Sequence, residues 1–243
     1  MLNSYRRIFC SSIFGLLLTS PALAAGKIWR ASLAQMPVYA ESHEKGILVD
    51  FVKALEKASG DKIEYQVVPF ARSIDDVQDK RVDFHLPLIQ LPKVETGTNK
   101  LDYSTETIFH VNFTLYSNKA LEVTPVNAAK FKIETDAAHT EYFDFPIAPA
   151  FKIDGALRKV DAGRLDAFIF ADFASDPIIK ERKLNNIKRQ LFKRFNVKII
   201  LPKGGRGGPT DKFLSETIAK LRQSGEMARI MGPIDAPYDD WQP

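Results

Sequence analysis

An aromatic ring and a guanidinium stand two residues apart in Phe70 and Arg72, directly after the apolar run Lys62–Val68 and the break at Pro69. A ring excludes water and a guanidinium offers fixed, paired donors, so the two suit a planar or carboxylated solute. Tyr39, behind the run Lys27–Leu33 and Pro37-Val38, and Pro87-Leu88, behind Asp83–Leu86, hold equivalent places. Those places matter because ligands of open α/β sheets bind beyond the carboxyl ends of the strands. A surface ion pair from Arg72 to Asp75 or Asp76 accounts for the arginine equally well, and such pairs are common and weak.

Other chemistries find less support in the residues. His43, His85, His110 and His139 are scattered without metal-ligand spacing, so no metal site is expected. There is no Gly-x-Ser-x-Gly elbow, and the one cysteine, Cys10, lies in the N-terminal apolar run. The cluster Gly204-Gly205-Arg206-Gly207-Gly208-Pro209 precedes a helical pattern, as a phosphate-cradling loop would. It lacks both the dinucleotide spacing and the Gly-Lys-Ser/Thr ending, so it reads as a turn and no cofactor is expected. Glu41, Asp136 and Asp172 keep acid–base catalysis as a minority reading, since no pair of them is fixed by spacing; the chain reads as a non-enzyme.

The elements that must position these residues alternate between two periods. Lys27–Leu33, Lys62–Val68 and Asp83–Leu86 read as strands, with helices over Gly46–Ser59 and Arg72–Lys80. In the first helix Leu48, Phe51, Val52 and Leu55 recur at helical spacing before Gly60 stops it. Thr107–Tyr116 is a longer β-rich run. A second series follows, with strands Phe131–Thr135 and Asp166–Phe170 and helices Ile153–Ala162 and Ser175–Lys183. Phe195–Leu201 reads as a further strand, and Thr210–Met231 as one closing helix. Strands alternating with helices in two units of similar size define an α/β protein with largely parallel sheets.

The N-terminus carries an address. Arg6-Arg7, the apolar run Ile8–Leu18 and the small residues Ala22-Leu23-Ala24 form a secretory signal, with cleavage expected between Ala24 and Ala25. The run of about eleven residues falls short of the roughly 20 a membrane span needs. Paired arginines are ordinary in such signals, so the general secretory route is expected and the protein is placed in the periplasm. Cleavage removes Cys10, leaving stability to core burial alone. It also lowers the formal charge from +4 to +2, since Arg6 and Arg7 leave and the segment holds no acid. The one basic region, Lys180–Arg194, reads as a solvated helix face, because the aromatic interleaving of a nucleic-acid site is missing.

Five short motifs then carry a resemblance: Gly46-Ile47-Leu48-Val49-Asp50-Phe51, Val68-Pro69-Phe70-Ala71-Arg72, Asp102-Tyr103-Ser104, Ala162-Gly163-Arg164-Leu165-Asp166-Ala167 and Ile200-Leu201-Pro202-Lys203-Gly204. In order and spacing the chain resembles family 3 extracytoplasmic solute-binding proteins, of the type II periplasmic binding fold related to amino-acid ABC transporter receptors. The resemblance implies two α/β lobes, 25–116 with 203–243 and 117–202, crossing near Ser117-Asn118 and Pro202-Lys203-Gly204. It implies a monomer that holds a small solute between the lobes and delivers it to a membrane permease, or docks on a membrane sensor. It also implies a ligand-contacting turn at Thr135–Thr140, with Asp136 and His139 in it, and an acidic residue that would hold a ligand ammonium at a position that falls on Ala171 or Asp172. A helix cap explains Asp172 as well. The family's carboxylate-clamping arginine, counted six residues before Tyr103-Ser104, falls on Gly97, with Lys93 as a displaced substitute.

Overall fold

The computed structural model describes residues 26–91 and 100–243. The signal segment and the Gly97 and Lys93 positions lie outside the described residues.

Period-2 and period-3.6 segments fall largely where the sequence puts them. The strands are β1 (Ile28–Ala34), β2 (Lys62–Val68), β3 (Phe84–Ile89), β4 (Leu101–Asn118), β5 (Ile133–Asp136), β6 (Ala148–Ala150), β7 (Ala167–Ala171) and β8 (Ile187–Pro202). The helices are α1 (Ile47–Ser59), α2 (Phe70–Gln78), α3 (Ile153–Asp161), α4 (Asp172–Arg182), α5 (Pro209–Gln223) and α6 (Glu226–Met231). Leu48, Val49, Phe51, Val52 and Leu55 of α1 are completely buried. Each contributes about 1.5–3 kcal/mol of burial. Gly60, in the left-handed region at φ 78°, ends that helix. Trp29 of β1 stacks on Phe213 of α5 at 4.3 Å, fixing the closing helices to the first half.

The closing helix is two helices, because the chain takes a left-handed turn at Gly225 (φ 77°) that an α-helix cannot pass through. The basic region 180–194 also differs from the expected helix face. Its second half is strand β8, and Arg189 there is fully buried.

All eight strands join one sheet in the order β2-β1-β3-β8-β4-β7-β5-β6. β4 and β8, of 18 and 16 residues, pair antiparallel through its centre. β1, β2 and β3 are mutually parallel, and β3 is antiparallel to β8, so these three run in the direction of β4. β5, β6 and β7 are mutually parallel and β7 is antiparallel to β4, so they run the opposite way. The carboxyl ends of both sets therefore point at the middle of β4 and β8. Three register shifts in the β4–β8 ladder lie between Tyr103 and Thr114. Such bulges loosen and twist a ladder locally.

This pairing moves the passage between halves. Ser117 and Asn118 pair with Ala167 and Ile187 deep in the second half, and Pro202 pairs with Leu101 at the far end of the first. The reason is strand length: β4 and β8 continue through both halves instead of ending at the boundary.

Candidate functional site

The segment after β1 is shaped to deliver one ring. Val38 and Tyr39 offer their carbonyls to the first amides of α1, Ile47 N–H to Val38 O at 3.1 Å and Leu48 N–H to Tyr39 O at 2.8 Å. The approach is so close that a Cβ on Gly46 would stand 2.4 Å from Tyr39 O, and Gly46 has φ 139°. Only glycine tolerates both demands. Val38, β-branched, is held at φ 69°, a strained conformation of the kind that clusters at functional sites. Tyr39 is thereby buried against Phe109 of β4 at 5.7 Å and meets Phe173 of α4 edge-on at 6.0 Å.

Asp172 opens α4 at the end of β7, beside Tyr39. Asn112 of β4 donates to its Oδ2 at 3.0 Å and the Phe173 N–H to its Oδ1 at 2.7 Å. Burial pushes the Asp172 carboxyl above the usual carboxylate range in spite of these two hydrogen bonds. The Tyr39 hydroxyl is pushed up to about 12, first by burial and then by the Asp172 charge. Among the described residues, no cationic group pairs with Asp172 within ion-pair distance. Arg189, whose charge reaches it, is held bidentately by Asp176.

A second cluster also bridges the midline. Tyr103 donates to Ile89 O at 3.3 Å and accepts from Leu91 N–H at 3.2 Å, and Tyr142 donates to the same Ile89 carbonyl at 3.4 Å across the halves. Burial raises both phenols. Asp136 accepts from Ala138 N–H at 3.1 Å and from His139 Nδ1 at 2.9 Å. His139 packs among Tyr142, Phe170 and Phe113, at 5.1, 5.1 and 5.7 Å.

The first half's other expected residues stand further back. Phe70 is partly exposed and edge-on to His85 at 5.8 Å. His85 is fully buried, held 2.5 Å from the Ser73 hydroxyl and 3.2 Å from Pro87 O, and burial pushes it down to about 4, so it is neutral and steadies the buried Pro87. Arg72 donates through Nε to Asp76 at 2.9 Å with most of its side chain in water, the helix-surface pairing that its spacing left open. Asp76 is buried and also takes Arg81 Nε at 2.7 Å and Gln66 Nε2 at 2.7 Å. Glu41 is held by Lys45 at 2.5 Å on an exposed loop, away from Asp136 and Asp172 in contacts.

Sequence reasoning missed Asn112, Phe109, Tyr103 and Tyr142 as members of the site. Phe109 and Asn112 lie in mid-strand on β4 and Tyr103 near its start, where nothing marks a binding residue until the topology shows which strand ends converge on β4. Of two cavities of about 280 and 380 Å³, one lies behind Tyr142, beside Phe143, Phe192 and Lys193, and the other between β4 and α6. Neither is lined by Tyr39, Asp172 or Phe173, which already touch across the midline. Among the described residues, no helix is long and apolar enough to cross a membrane, and no group of three His, Cys, Asp or Glu is placed to hold a metal ion.

An α/β sheet threaded by two long antiparallel strands, with opposed strand ends meeting at its middle, is the two-lobed fold of type II periplasmic binding proteins. Neither a protein-family model nor a curated protein sequence matches the chain. Solved structures of that fold do. The L-cystine solute receptor of Neisseria gonorrhoeae, in its unliganded open conformation, is 14% identical with a TM-score of 0.61, over 90% of this chain and 97% of that one. A probable amino-acid ABC transporter extracellular-binding protein of Bacillus subtilis is 17% identical with a TM-score of 0.59, over 88% and 100%. A histidine kinase sensor domain with similarity to periplasmic binding proteins is 18% identical with a TM-score of 0.59, over 86% and 96%.

Proposed function

We propose that this chain is an exported solute-binding protein that closes its two halves on a small amine-bearing solute and presents it to a membrane permease. The observation that carries the reading is Asp172, a half-buried carboxylate at the point where the strand ends converge, beside Tyr39 and Phe173 and, among the described residues, without a paired cation. Partial burial of a carboxylate without a counter-charge costs stability, and a ligand ammonium would relieve that cost while the rings take its apolar part. Tyr142, Asp136 and His139 would bound the solute on the second half, and Phe70 and Pro87 would shape the first, with Arg72 at the rim. Hinge motion would centre on the bulged stretch of β4 and its partner in β8, where the ladder is least regular.

Small-angle scattering tests the closure. The radius of gyration should fall on adding a solute that stabilises the protein, and no change at saturation would contradict a hinge. The sensor-domain likeness favours a second reading, in which the closed form docks on a membrane signalling protein. Deleting the gene separates the two, since lost uptake of the solute supports delivery, while intact uptake with a lost signalling response supports sensing.

A further inference from the structure

The segment 233–243 follows α6 and belongs to no helix or strand. It begins on the first half, where α6 packs, and ends on the second. At the midline, Asp235 takes His110 Nδ1 of β4 at 3.0 Å and Arg194 Nη2 of β8 at 2.5 Å, tying it to both central strands. One residue on, Ala236 O accepts from Asn112 Nδ2 at 3.2 Å. The segment then locks onto the second half. Arg189 Nη1 donates to Asp239 O at 3.0 Å and Trp241 O at 2.5 Å, and its guanidinium lies under the Trp241 ring at 4.3 Å. Gln242 brackets the Arg189 backbone, accepting from its N–H at 2.9 Å and donating to its carbonyl at 3.0 Å. Trp241 Nε1 reaches Asp176 of α4 at 3.3 Å, and Lys119 Nζ holds Pro243 O at 2.8 Å.

We infer that residues 233–243 form a strap, a third connection between the halves that limits how far they part and that is wired to the solute site through Asn112. The anchor is far stronger than a loose tail needs. Arg189 is buried and makes charge-assisted bonds to the segment's own carbonyls, so its release would leave a buried charge short of partners. Only residues 232–238 separate α6 from the first anchored carbonyl, at Asp239, and the His110–Asp235–Arg194 contact pins this stretch where the ladder is bulged. Asn112 spends both amide hydrogens on this path, one on Asp172 and one on Ala236 O. A solute that takes over Asp172 therefore also acts on the strap. The strap follows from the contacts alone and does not depend on which solute binds.

Slackening the strap without disturbing its anchors tests this. Six Gly/Ser residues inserted between Gly232 and Pro233 leave every contact above available but remove the restraint. With residues 1–24 omitted the chain has no cysteine, so one introduced pair, at exposed Lys57 and exposed Arg158, carries spin labels for distance measurement. The label distances without ligand should lengthen in the insertion variant, with the open-to-closed ratio rising roughly 5-fold or more, the size of an ordinary intramolecular coupling. Asp235→Asn, which weakens only the midline pin, should shift the ratio in the same direction by less. Unchanged distances in an insertion variant with native circular dichroism would overturn the strap, whatever the solute proves to be. A shift in that variant, matched by wild-type distances in an insertion placed in the exposed turn at Gly204-Gly205, would establish it.

Discussion

Replacing Arg189 with Met is the most severe single change this structure foresees outside the hydrophobic core. The wild-type residue is 1% exposed. It makes two bonds to Asp176, at 2.9 and 2.6 Å, and two to the carbonyls of Asp239 and Trp241. Methionine matches the stem in volume, so little cavity is created. What remains is a carboxylate at Asp176 with only the Tyr116 hydroxyl at 2.8 Å and Trp241 Nε1 at 3.3 Å, and two carbonyls without donors. Breaking a buried pair from one side costs about 3–5 kcal/mol. For a chain of this size each kcal/mol moves Tm by roughly 2–4 °C, so the melt should fall by about 6–20 °C. Urea unfolding followed by circular dichroism, with calorimetry for Tm, reads both quantities. The double variant Arg189→Met with Asp176→Leu should recover much of the loss, because replacing both partners removes the orphaned charge. A single-variant loss under about 1 kcal/mol, or a double variant as unstable as the sum of the singles, would refute the reasoning.

Asp172→Asn should melt above wild type at neutral pH. The folded Asp172 pKa is raised, so its ionisation costs stability as pH climbs from the unfolded value of about 3.9 through the folded one, and the advantage of Asn should vanish below that lower limit; a melt series across pH checks it. Gly46→Ala should cost about 1–3 kcal/mol through strain at φ 139° and contact with the Tyr39 backbone, and more than Gly60→Ala, where the added Cβ meets nothing within 4 Å, as comparative urea unfolding would show. The exported protein should begin at Ala25, so intact-mass measurement on periplasmic material should find residues 1–24 missing.

The helices and most strands are legible because each carries its own period. Leu48, Phe51, Val52 and Leu55 need no tertiary information to mark one face of α1. The same local reading fails for β4 and β8. Tyr103, Phe109 and Asn112 sit in one strand that bulges repeatedly, and each bulge breaks the alternation by which a strand is recognised. Arg189 reads as one of several surface cations, since its neighbours Lys188 and Lys193 are solvated, and only the return of Trp241 and Asp239 from fifty residues away buries it. Asp172 and Tyr39 are findable because they follow strands. Their meeting is not, because it depends on the opposed directions of the two strand sets.

The central claim is that Asp172 receives a solute cation between the halves, and a thermal-shift comparison tests it most directly. Wild type and Asp172→Asn would each be melted with L-arginine, L-lysine, L-histidine, putrescine, spermidine and choline, and with glutarate and benzoate as acids without an ammonium. At 100 times its Kd, a solute adds about 2.7 kcal/mol, or roughly 5–11 °C for a chain of this length. The account predicts such a rise with at least one amine in wild type and its loss in Asp172→Asn. Stabilisation by the acids alone, or by an amine equally in both proteins, would contradict it.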